Sequence, residues 1–233
     1  MYGLMFNSTY LLFALPALLL GLYAQARVRS AYGRYQKVRN RHNITGYEAA
    51  RRILMVAGLS GVTIQETPGQ LSDHYDPRDK SLHLSAGVAR SPSVAALGIV
   101  AHEIGHAMQD AEAYAPLRVR TGIVPVVQIG SWLGPIVFLL GMLFQTPNLA
   151  VVGLVLFSLT AVFALVTLPV EYNASARATR LLATSGLVVS EEEEQGVRAV
   201  LNAAALTYLA AAIQAISTIL YYVFLLGGFR RRD

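Results

Sequence analysis

The sequence predicts a mainly α-helical membrane protein, with about four transmembrane helices and a small cytosolic α+β portion. Three observations predict it. The composition is 54% hydrophobic and only 14% charged, too apolar for a soluble globule of 233 residues. Four apolar stretches, at about 4–23, 121–144, 149–170 and 205–226, approach or exceed the roughly 20 residues that a bilayer crossing takes. The charges are segregated: no Lys, Arg, Asp or Glu lies in 1–23 or 121–170. There are no cysteines, which excludes disulfides, thiolate-held metals and a thiol nucleophile.

The first apolar stretch is followed by an Ala24-x-Ala26 pattern that resembles a signal-peptide cleavage site. It has no basic residues before it, and the basic run follows it, so it reads as an uncleaved anchor. The second and third stretches are joined only by "QTPN" and form a tight antiparallel hairpin. Arg27, Arg29, Arg34, Lys37, Arg39 and Arg41 crowd the exit of the first span, which places segment 24–120 in the cytosol. Alternation then puts 145–148 outside, 171–204 inside and the C-terminus outside. The terminal "GFRRRD" opposes that assignment, but three arginines stand against sixteen other basic residues. Beside a span, a basic run is accounted for by anionic headgroups, with no need of nucleic acid. The expected location is a cell membrane, multi-pass.

The cytosolic segment carries its own punctuation. Thr45-Gly46-Tyr47-Glu48 is a capping box that opens the helix "YEAARRILMVA", and Gly58 closes it. "GVTIQET" has a strand pattern, "PGQ" turns the chain, and "SLHLS" (81–85) alternates as a second strand. That strand reads either as a plain sheet strand or as an edge able to pair with an extended peptide. "DHYDP" reads either as support behind the metal ligands or as a turn closed by Asp76-Pro77, and its own chemistry favours the turn. Ser91 and Pro92 supply an N-cap and a first-turn proline for a helix running to about Asp110. The acids Glu191–Glu194 behind Ser190 suit the start of another helix rather than a metal site.

Inside the helix after Pro92 lies "AHEIGHAMQD". Residues four apart share a helix face, so His102 and His106 are placed to hold one metal ion together. Glu103 sits one step around, where a carboxylate can take a proton from an attacking water. Two histidines of the chain's five fall here, and Glu103 is the only acid between Asp79 and Asp110.

A third ligand follows by elimination. Asp110 lies eight residues beyond His102, roughly 12 Å along a helix axis, whereas three zinc ligands converge to about 2 Å from the ion. No histidine follows His106, and the only acid between Glu112 and Glu191 is Glu171. It emerges from the third span on the cytosolic side. His74, Asp76 and His83 are the upstream alternatives, less attractive than Glu171. A His₂Glu set leaves a fourth position for water.

The HEIGHAMQD core, preceded by "DHYDP" and "LHLS" and followed after a membrane hairpin by "LPVEYNASARA", resembles the YugP-type neutral zinc metallopeptidases across essentially the whole chain. A more distant likeness is to HtpX-like and CAAX-processing membrane proteases. The resemblance implies a zincin-like (gluzincin-type) fold for the cytosolic portion and one metallopeptidase domain over 1–233. It implies one Zn²⁺ per chain held by His102, His106 and Glu171, with Glu103 as catalytic base. Where the distant relatives place an Asp against a ligand histidine, this chain has Ser175. A hydroxyl can orient a ring but raises its basicity less than a carboxylate does. Tyr172, His83 and His74 are candidates to stabilise the transition state, and the sequence does not choose among them. The expected partners are the bilayer and a polypeptide substrate embedded in or adjacent to it. A catalytically silent zinc-binding scaffold or regulatory subunit is the rival reading; an intact Glu103 argues against it, since structural zinc needs no free base.

Overall fold

The expected helices and strands form, with several boundaries moved. The computed structural model describes residues 8–229. In order these are α1 (Ser8–Tyr35), α2 (Gly46–Val56), β1 (Thr63–Thr67), β2 (His74–Asp76), β3 (Ser81–Ser85), α3 (Ala86–Ala89), α4 (Val94–Ala111), α5 (Ala115–Leu143), α6 (Pro147–Thr184) and α7 (Glu191–Phe229). Four of them, α1, α5, α6 and α7, are long and apolar enough to cross a membrane. The start of the first expected span (4–7) and the arginines 230–232 lie outside the described residues.

The long helices overrun the apolar stretches that announced them. Nothing stops α1 at Tyr23: "AQARVRS" has good helix formers and no breaker, so the helix continues through the basic run to Tyr35. Similarly α6 continues from its apolar part through Glu171 to Thr184. Only Phe144, Gln145 and Thr146 separate α5 from α6, and Pro147 opens α6 where a missing N–H costs nothing.

The chain divides into two compact units. One comprises 25–118 and 169–206 and carries the sheet, α2, α3 and α4. In it the capping box of α2 is formed: the Thr45 side chain accepts from the Glu48 N–H, and Glu48 reaches back to the Thr45 N–H at 2.7 Å. Gly58 ends the helix at φ +70°. Ala49, Ala50, Ile53 and Leu54 turn inward while Arg51, Arg52 and Met55 stay exposed. Burying Ile53 and Leu54 stabilises by about 1.5–3 kcal/mol each. They join Leu82, Leu84, Leu97, Val100 and Ile104 in one core.

One open alternative is decided here, in favour of the plain sheet strand, and two expectations are corrected. "SLHLS" is not an edge: the strand order is β1-β3-β2, so β3 is central, parallel to β1 and antiparallel to β2. Its serines look solvent-facing by alternation but are buried, because Asp79 accepts from Ser81 and Asp73 from Ser85. "DHYDP" is not simply a turn: His74–Asp76 pair as β2, and the turn follows at Pro77–Lys80. The N-cap of α4 is Ser93 rather than Ser91. Ser93 bridges to Arg39, which holds it extended while its Oγ accepts from the Ala96 N–H at 3.2 Å. The expected cap of α7 forms, with Ser190 and Glu193 capping reciprocally, and buried Glu193 also accepts from the Arg41 N–H at 2.8 Å.

Within the described residues, the second unit comprises 8–24, 119–168 and 207–229. Its helices touch backbone to backbone. A Cβ on Gly141 would stand 2.2 Å from the Ala150 nitrogen, and one on Gly153 2.2 Å from that of Phe138. Tyr222 stacks on Phe138 with centroids 4.1 Å apart, and the Ser217 hydroxyl donates to the Phe13 carbonyl of α1.

Candidate metal centre

The centre is built by two helices of the first unit, α4 and the second half of α6. α4 is lined with small and apolar residues on nearly every face, and such a helix is stable only when enclosed. Its most consequential small residue is Gly105, between the two histidines. A Cβ there would lie 2.6 Å from the Ala174 carbonyl oxygen, so glycine lets α6 come within backbone contact of α4. Ala174 is three residues beyond Glu171, and the close approach brings that carboxylate onto the histidine face.

There Glu171 Oε2 stands 3.2 Å from His102 Nε2 and 3.5 Å from His106 Nε2. The two imidazoles are nearly perpendicular, 86° apart with centroids at 4.8 Å. One ligand atom from each of the three residues falls within 4.8 Å of the other two. The Glu171 side chain is 2% exposed and each histidine 12%. Among the described residues this is the one group of three or more such side chains so gathered.

Burial pushes the Glu103 carboxyl up from its ordinary value. The His102 and His106 charges pull it partly back, and Glu171 and Asp73 push with the burial. A raised carboxylate is a stronger base.

Ser175 Oγ lies 3.2 Å from His102 Nδ1, against the ring's other nitrogen. His74 and His83 are cross-strand partners whose rings stack at 4.5 Å, and they lie outside the ligand group. Asp76 is paired with Arg78, and Asp110 accepts from the Tyr75 hydroxyl at 2.9 Å. Tyr172 is exposed beside Glu171.

A family model described as "Putative neutral zinc metallopeptidase" matches residues 10–227. The chain belongs to this zinc metallopeptidase family. It is 42% identical over 214 residues to the "Putative membrane protease YugP" of Bacillus subtilis (strain 168), covering 92% of this chain and 95% of that one. No solved structure matches it.

The family description names zinc, and the residues here fit that ion. Two imidazole nitrogens and a carboxylate oxygen are zinc donors, and atoms about 2 Å from a tetrahedral ion stand about 3.3 Å apart. The separations of 3.2 and 3.5 Å agree with that span. Each histidine also meets a partner on its far nitrogen, as zinc-binding imidazoles do. For His106 the partner is Gln109 Oε1, 3.0 Å from Nδ1. Gln109 was missed in the sequence, although a signal was present. It lies three residues beyond His106 and seven beyond His102, on the same helical face. A fully buried amide there needs a polar reason.

Proposed function

We propose that this protein is a zinc-dependent integral membrane endopeptidase, with its centre at the cytosolic membrane surface and a substrate embedded in or adjacent to the bilayer. The observation that carries this reading is the convergence of His102, His106 and Glu171, with a half-buried Glu103 next to His102 on the same helix. Bound zinc would supply Lewis acidity toward a scissile carbonyl and an attacking water. The protein's own part is then specific. His102, His106 and Glu171 would hold the ion, while Ser175 and Gln109 steady the two rings from behind. Glu103, made more basic by burial, takes a proton from the attacking water and passes it to the leaving amine.

The membrane side of the proposal rests on two supports. The basic residues between Arg27 and Arg41 favour a cytosolic placement of the segment that carries α4. Glu171 lies on one continuous helix with an apolar stretch, only three residues past Leu168. A reporter fused near residue 60 is expected in the cytosol and one inserted at 146–147 outside; the opposite pattern places the centre on the other side.

The decisive experiment is metal content and casein or peptide cleavage by detergent-purified protein, beside Glu103→Gln. Wild type is expected to carry one zinc per chain and to cleave. Glu103→Gln should keep the zinc and lose cleavage. Equal cleavage by the two proteins ends the enzyme reading.

A further inference from the structure

We propose that Arg177, Asn173 and Gln109 form a positioning relay that dictates which nitrogen of His106 carries the proton, and therefore which nitrogen is left to bind metal. The proposal rests on the zinc reading of the centre, although its main test is made on metal-free protein.

The relay can be followed one obligatory donor at a time. A guanidinium only donates. Arg177 Nε lies 2.7 Å from Asn173, so the amide atom facing it is the oxygen, Oδ1. That same oxygen lies 2.9 Å from Gln109, and the Val170 carbonyl, which only accepts, lies 2.8 Å from the same Gln109 atom. Both contacts require the NH₂ of Gln109 on that side, so its Oε1 faces the other way, toward His106 Nδ1 at 3.0 Å. An amide oxygen only accepts. His106 Nδ1 therefore carries a proton, which leaves Nε2, the nitrogen that faces Glu171, as the one available to a metal.

The start of the relay is held in turn. Both terminal nitrogens of Arg177 donate to Glu112, each at 2.7 Å, and the guanidinium lies 5.9 Å from the Tyr114 ring centroid. The relay thus draws His106 and Gln109 from α4, Glu112 from the C-cap of that helix, and Asn173 and Arg177 from successive turns of α6. Turning the Gln109 amide over would set its oxygen against the Val170 and Asn173 oxygens and break three hydrogen bonds at once. Behind His102 there is no such constraint: the Ser175 hydroxyl, against Nδ1, can donate or accept, and the obligatory acceptor on this ring is the Glu171 carboxylate 3.2 Å from Nε2.

The test uses full-length protein in detergent, ¹⁵N-labelled at histidine and free of metal, at a pH where His106 is neutral. Two-bond ¹H–¹⁵N spectra report which nitrogen bears the proton. His106 is expected as the Nδ1–H form in wild type and in Asn173→Asp, whose carboxylate still accepts from both neighbours. Asn173→Leu, and separately Arg177→Met, should yield mixed tautomers at His106 while His102 is unchanged. Chelator competition should show zinc binding 10–100-fold weaker in Asn173→Leu and within a few-fold of wild type in Asn173→Asp. An Nε2–H form in wild type, or a single Nδ1–H form persisting in folded Asn173→Leu or Arg177→Met, overturns the relay. The wild-type spectrum decides the matter even where a variant does not fold. Absence of zinc binding by wild type would strike the zinc reading alone, because the tautomer is read without metal.

Discussion

The two units of this chain solve the same packing problem by different means. Around the metal centre, side chains do the joining: Thr45 with Glu48, Ser190 with Glu193, Arg177 with Glu112, and a core of Ile53, Leu82, Leu84, Leu97 and Ile104. In the other unit the backbones themselves meet, at Gly134, Gly141 and Gly153. The difference follows from solvent. Water drives apolar side chains together. Lipid tails are as apolar as leucine and exert no such force, so close approach at small residues is what remains to hold helices together. Gly105 carries the second device into the first unit: α4 and α6 meet there backbone to backbone, and that contact delivers Glu171 to the histidines.

The sharpest way to break the centre is to remove what α6 delivers. Glu171→Ala should lose zinc and activity together, by more than the 10–100-fold that supporting partners cost. Glu171→Asp should retain some of each despite its shorter reach. Alanine at His74 or Asp76 should leave zinc nearly intact, as these residues are committed to the stacked pair and to Arg78. Zinc per protein, measured across the four variants, tests this. Full occupancy in Glu171→Ala with loss in His74→Ala or Asp76→Ala would move the third ligand upstream.

The next effect sharpens the comparison itself, because one substitution should take opposite signs at two helical glycines. At Gly105 an added methyl meets the Ala174 carbonyl, so Gly105→Ala should destabilise by about 1–3 kcal/mol and weaken zinc binding as α6 is displaced. At Gly33 nothing lies within 4 Å, so Gly33→Ala should stabilise α1 by up to about 1 kcal/mol and leave zinc unchanged. Denaturation midpoints and chelator competition on both variants check the pair. A neutral Gly105→Ala would mean the helices do not need their close contact.

What was legible in the sequence divides along physical lines. Local, short-range signals read correctly: the Thr45–Glu48 box, the four apolar helices, and the four-residue spacing of His102 and His106. Glu171 was legible for a different reason, the scarcity of other acids downstream. Long-range pairing was not legible. Ser81 and Ser85 look solvent-facing until Asp79 and Asp73 are seen to hold them, and alternation is the same in a central strand as in an edge. Ser91 and Ser93 are equivalent caps by chemistry, and the choice is made by the bridge from Arg39, more than fifty residues away along the chain. The contact of Gly105 with Ala174 likewise depends on which helix comes to lie against α4.

A smaller effect is expected at the α2 cap. Thr45→Ala removes the acceptor for the Glu48 N–H and should cost about 1 kcal/mol of stability. Zinc affinity should not change, since neither residue touches the centre; a fall in affinity without a fall in stability would contradict that separation.

The smallest expected effect lies at Ser175, where the two histidines can be compared within one site. His106 is backed by an amide locked into a chain of obligatory donors, and His102 by a hydroxyl that can turn. Ser175 should therefore contribute less to zinc binding than Gln109 does. Ser175→Ala is expected to weaken zinc by about threefold, short of the 10–100-fold that a fixed partner commonly supplies. Gln109→Leu should fall within that larger range. Ser175→Asp should act in the other direction, because a carboxylate against Nδ1–H raises the basicity of the ring and fixes its Nε2 toward the metal. Zinc affinities of the three variants, measured side by side by chelator competition, put the two ring supports in order. A loss in Ser175→Ala as large as that in Gln109→Leu would show that the hydroxyl holds its ring as firmly as the amide does.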